Sequence, residues 1–143
     1  MTKLTWPETL AHELKTYCVP MLLSYAENLK LATDGLLVGR VTFMTHHTSH
    51  RTDLDETLRF QYRFEMVAPL LDQYFHPLFI VSFGVDPYPA SINPLNHGVI
   101  EEIGKVMVAH DEAEFVDILK RISHASTTIK IARTLIANIK ALI

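Results

Sequence analysis

"TLRFQYRFEMVAPLLDQYF", residues 57–75, sets the balance between helix and sheet in this chain. Phe60, Phe64, Val67, Leu71 and Phe75 recur at intervals of three and four, and Leu58, Tyr62 and Met66 widen the same stripe. Such spacing places side chains on one face of a helix. Just upstream, Asp53 is a good N-cap, and Glu56 stands three residues later, where it completes a capping box. The pattern predicts a well-buried helix from Asp53 through Phe75, with Pro69 as a kink point.

On either side the texture changes. "LLVGRVTFMT" at 36–45 is β-branched and partly alternating, and "LFIVSFGV" at 78–85 is a short apolar run, so both read as strands. Residues 86–98, "DPYPASINPLNHG", contain three prolines and no periodicity. They read as a long loop, and loops of that length are often functional. "VIEEIGKVMVAH" at 99–110 fits either a helix or a hairpin turn at Ile103-Gly104-Lys105 leading into a strand, "KVMVA" at 105–109, and the strand is the favoured reading. Asp111 and Glu114 then form a second capping box and start another helix.

The two ends are helical in pattern. Thr5, Pro7 and Glu8 open a helix as cap, first-turn proline and box glutamate, with Leu10, Leu14, Tyr17 and Cys18 on one face. Pro20 should kink or restart it, and Met21, Leu22, Tyr25, Ala26 and Leu29 form a second inward stripe that ends near "TDG" at 33–35. At the other end, Phe115, Ile118, Ile122, Ala125, Ile129, Ala132, Ile136, Ile139 and Ile143 follow at alternating steps of 3 and 4. That seam fits one long helix or, with a break in "SHASTT" at 123–128 where Ser126 or Thr127 would cap, an antiparallel pair. Leu119, Leu135 and Leu142 make the stripe too broad for a two-stranded coiled coil, so it belongs in a bundle. The expected fold is therefore α+β. It is a helix-rich single domain over residues 1–143, with a sheet of about three strands, a helical N-terminus and a long or paired C-terminal helix.

Composition agrees with a globular chain: 143 residues, 48% hydrophobic and 20% charged, with one cysteine and therefore no internal disulfide. No apolar run is long enough to cross a bilayer and no secretion signal is evident, which gives the expectation of a cytoplasmic protein without a membrane role. The net charge of −3 is unevenly spread. Lys120, Arg121, Lys130, Arg133 and Lys140 follow the last carboxylate, Asp117, so the tail carries +5 against −8 for residues 1–117. This basic end can dock on an acidic body, of its own chain or a second copy, or meet a polyanion.

Candidate chemistry centres on "FMTHHTSHRTD" at 43–53. His46 and His50 lie four apart with Asp53 and Asp55 nearby, a donor set for zinc or another divalent transition metal. Against that, no glutamate stands between the histidines, and His47 would point away from His46 in extended chain. A solvated turn is the stronger reading, and His76 or His97 would have to complete a metal site. Cys18 sits on an apolar stripe as a packing residue, the five glycines form no phosphate loop, and Glu101-Glu102 shows no sign of opposed environments. No catalytic residue is assigned.

These observations favour a small non-enzymatic interaction protein, an adaptor, inhibitor or regulator, acting as a homodimer on a protein partner. Ile129, Ala132, Ile136, Ile139 and Ile143 would form the oligomer interface, and Tyr88, Asn93, Asn96 and His97 a contact surface for the partner. No cofactor is required by this reading. One alternative is a metal-binding protein or metal-dependent enzyme that uses His46, His50 and Asp53. The other is a DNA-binding regulator that presents Lys130 and Arg133 from a C-terminal helix pair, which the acidic total charge disfavours.

Overall fold

The structure, a computed structural model, describes residues 5–44 and 60–143. Helix α1 (Cys18–Ala32) precedes five strands, β1 (Val38–Met44), β2 (Phe60–Ala68), β3 (Tyr74–Phe83), β4 (Ala90–Pro94) and β5 (Met107–Ala109). Helix α2 (His97–Ile103) lies between β4 and β5, and α3 (Glu112–His124) and α4 (Ser126–Leu142) follow. The sheet is an antiparallel meander in the order β1-β2-β3-β4-β5. The α+β class expected from the sequence is present, but with five strands rather than about three.

The difference lies in residues 57–75. From Phe60 onward the expected helix is replaced by β2, a turn and β3, while Asp53 and Glu56 fall outside the described residues. Phe60, Tyr62, Phe64, Met66 and Ala68 also alternate with a period of two, so the stretch satisfies both periodicities. Pro69 decides between them, because inside a helix it would remove a hydrogen bond and clash with the preceding turn, at about 3 kcal/mol. Here it starts a one-turn 3-10 segment, Pro69–Leu71, and Asp72 and Gln73 at φ 55° and 60° reverse the chain into β3. Long-range pairing then places Phe64 opposite Phe79, their rings stacked with centroids 5.2 Å apart.

Three further expectations are corrected. The 86–98 loop contains β4, where Ile92 is the one large apolar residue in the alternating buried set of Ala90, Ile92 and Pro94, and the surrounding prolines mask its strand signal. Gly104 closes α2 at φ 118° instead of turning a hairpin, and the chain then enters β5 beside β4. At the N-terminus, residues 5–17 hold a 3-10 turn, Glu8–Ala11, with no side-chain cap, and a hydrogen-bonded turn from Leu14 to Tyr17, and every one of them is exposed. Pro20 falls in the first turn of α1, where its missing N–H has no helical partner to lose.

The C-terminal seam is broken, not continuous. Ala125 adopts extended geometry (φ −61°, ψ 137°) between α3 and α4. Neither Ser126 nor Thr127 caps α4; the Glu102 carboxylate of α2 accepts from the Ser126 N–H at 2.8 Å and from its hydroxyl at 3.1 Å. The Asp111 cap of α3 is present, its side chain accepting from Glu114 N–H at 2.8 Å.

One face of the sheet carries the helices. Phe64, Met66, Phe79, Val81 and Ile92 meet Leu22 of α1, Phe115 and Ile122 of α3, and Leu135 and Ile139 of α4 in one core. Helix α1 approaches β1 at Gly39, where an added Cβ would stand 2.8 Å from the Ala26 backbone and 2.7 Å from the Phe64 ring.

Candidate functional site

The helical layer does not close over the sheet. Between α1 on one side and α3 and α4 on the other runs a groove of about 790 Å³, within the range typical of ligand sites. Helix geometry explains its walls. On α1, Pro20, Met21, Ser24, Tyr25, Asn28, Leu29 and Ala32 recur at steps of one, three and four and so share one face. At 1.5 Å per residue that wall is about 18 Å long. The opposite wall is built by Val116, Leu119 and Ser123 of α3 and by Thr128, Ile129 and Ala132 of α4. Phe64, Met66 and Leu78 form the floor.

Tyr25 ties the two walls together. Its hydroxyl donates to the Leu119 carbonyl at 3.2 Å, and its ring lies 5.0 Å from that of Phe64. Burial pushes the phenol up to about 12, so it stays neutral and serves as a fixed polar crossbar. Thr128, 4% exposed, sits in the α4 wall with a hydroxyl that has no hydrogen-bond partner among the described residues. The rim is lopsided in charge: Lys15, Lys120 and Arg133 surround it, with Glu112 as the one carboxylate among the described groove residues. An apolar floor with a cationic rim suits an amphipathic, acidic occupant.

A second polar cluster lies on the sheet face opposite α1, α3 and α4. Glu65 is fully buried, accepting from Arg40 Nε at 2.9 Å and Thr42 Oγ1 at 3.3 Å. Arg63 Nε is 3.3 Å from the other carboxylate oxygen, near enough to attract but not aligned as a hydrogen bond. Arg40 also lies over the Phe75 ring, 5.0 Å from its centroid. Because Arg40 pairs in register with Glu65, this cluster fastens β1 to β2.

The residues singled out from the sequence are scattered. His46, His50 and Asp53, the proposed metal ligands, lie outside the described residues, as do His47 and Asp55. Among the described residues no group of three or more His, Cys, Asp or Glu side chains is placed to hold a metal. Half-buried His76 has its Nε2 3.5 Å from Asn96 Nδ2, and desolvation lowers its pKa. Tyr88 is anchored, its hydroxyl donating to the Thr16 carbonyl at 2.9 Å and its ring packed edge-on to Phe115. Asn93 stands in β4, Asn96 caps α2 by accepting from Gly98 N–H, and His97 is exposed and pairs with Glu101 at 3.0 Å. Of the suggested interface residues, Ile139 is in the chain's own core, Ala132 and Ile136 are half-buried, and Ile129 and Ile143 are exposed. Lys130 and Arg133, the candidate DNA contacts, are exposed on α4, and Arg133 belongs to the groove rim. No helix among the described residues is long and apolar enough to cross a membrane. Both the groove and the Glu65 cluster escaped the sequence reading, since each depends on how distant segments meet. The α1 stripe was the one visible signal. No protein-family model, curated protein or solved structure matches this chain.

Proposed function

We propose that the chain is a non-enzymatic interaction protein whose contact surface is the groove between α1 and the α3–α4 pair. It receives the apolar face of an amphipathic segment from another polypeptide, with acidic side chains of that segment against Lys15, Lys120 and Arg133. The observation that carries this reading is the pairing of an 18 Å apolar trough, about 790 Å³ in volume, with three rim cations against one carboxylate among the described residues. Helix-in-groove binding uses such a trough, with anchors spaced at three and four residues filling it. The exposed Ile129, Leu142 and Ile143 on and beyond α4 add apolar surface suited to a homodimer. An adaptor, inhibitor or regulator in the cytoplasm is the role this surface fits.

An apolar anionic dye, 1-anilinonaphthalene-8-sulfonate, probes the groove directly when the protein is dilute. The folded chain should enhance its emission with one-to-one stoichiometry, and Ala132→Phe, which fills the trough, should remove most of the enhancement. Equal dye binding by wild type and A132F, or none by wild type, would defeat the proposal.

A further inference from the structure

The chain contains a second unpartnered apolar surface, and it matches the first. Residues 5–17 are all exposed, with Trp6 at 83%, Leu10 at 60%, Leu14 at 39% and Tyr17 at 43% of full exposure. These four stand at steps of four, four and three, one face of a helix. Pro7 and Glu8 occupy the positions that favour a helix start after Thr5. Yet the segment holds one 3-10 turn and is interrupted by Glu13 at φ 56°, a conformation disfavoured for any residue with a Cβ. A helix this short is unstable by itself in water and needs a surface on which to fold.

We infer that this arm, from Trp6 to Tyr17, is the amphipathic segment that fills the groove, and that it does so in a second copy of the chain, reciprocally. The inference rests on the groove being a binding surface, as proposed above. Twelve residues as a helix span about 18 Å, the length of the α1 wall. On that helix Glu13 falls about 20° outside the apolar stripe, at 100° per residue; Lys15 leaves its own rim together with the arm, so Lys120 and Arg133 are the groove cations left to receive Glu13.

Two features favour a second copy over the arm's own groove. The base of the arm is pinned, since Tyr88 Oη holds the Thr16 carbonyl at 2.9 Å and Cys18 Sγ donates to the Pro87 carbonyl at 3.4 Å. That leaves little slack for the reversal that docking at home would demand. Reciprocal exchange also buries enough surface. Four such side chains offer on the order of 400 Å², and counting both grooves and both arms gives about 1,600 Å², the size of a stable interface. Exchange of an identical element about a two-fold axis closes the assembly at a dimer.

Trp6 is the chain's only tryptophan, so its emission reports the arm alone. In the full chain, emission should move to shorter wavelength as concentration rises, together with a doubling of mass by sedimentation, and both should revert on dilution. Arg133→Glu, at an exposed position that leaves circular dichroism unchanged, should weaken the association about tenfold. Adding Glu13→Lys to R133E should restore it. A water-exposed emission at every concentration overturns the inference. So does a concentration-independent blue shift in a monomer, which would mean that the arm folds into its own groove. If dilute protein binds the dye in an A132F-sensitive manner while Trp6 stays exposed, the groove reading stands and the arm exchange alone fails.

Discussion

Gly39 shows how a single missing methyl group sets the distance between layers. The α1 backbone at Ala26 occupies the space a Cβ would take, and the Phe64 ring closes the other side. Gly39→Ala must push α1 outward or displace the ring, so we expect a loss of about 1–3 kcal/mol, read from chemical denaturation. Cys18 makes a different point. Burial pushes its thiol from 9.0 up to about 11, so the folded state holds its proton more tightly than the unfolded chain. The associated stability is whole below pH 9 and is lost as pH rises towards 11. Denaturation midpoints should fall across that window, and Cys18→Ala should flatten the decline. A thiol of this kind should also resist alkylation until the protein is unfolded.

Among the elements, the end of the helical layer rests on a carboxylate borrowed from elsewhere. Glu102 of α2 supplies the cap that Ala125 cannot give α4. Glu102→Ala should destabilise the protein by about 0.5–2 kcal/mol, as measured by thermal unfolding, in line with the loss of an N-cap. This contact also marks the limit of what was legible in the sequence. Local signals survived into the structure: the Asp111–Glu114 cap, the β1 and β5 strands, the inward stripe of α1 and the polar break near 125. What failed was the competition between two periodicities at Phe60–Ala68, where pairing with β3 outweighed a helical stripe, and the short β4, where Ile92 alone stands among prolines and small or polar residues. The groove was half visible. Its α1 wall is a sequence pattern, but its floor and far wall come from residues up to about a hundred positions away, as the bond from Tyr25 to Leu119, 94 residues apart, illustrates.

At the scale of the whole molecule, the association proposed above draws on charge as well as on apolar surface. The tail holds five cations and no carboxylate, and Lys120 and Arg133 from it reach the groove rim. Self-association that depends on these rim charges should weaken as salt is raised, a trend visible by sedimentation between low and physiological ionic strength. Ile129→Asp, introducing a carboxylate at a half-open groove position, should shift the population to monomer at unchanged helicity. A dimer that persists through both changes would place the contact on another face.

Because every strand of the meander pairs with its immediate successor, the sheet needs no segment beyond residue 109 to complete its ladder. A nascent chain can therefore assemble β1 to β5 while α3 and α4 are still in the ribosome. The trough comes into being only when α3 and α4 settle. Until that moment the aromatic floor of Phe64 and its neighbours is covered by α1 alone, which makes this the interval in which the chain is most open to misassociation.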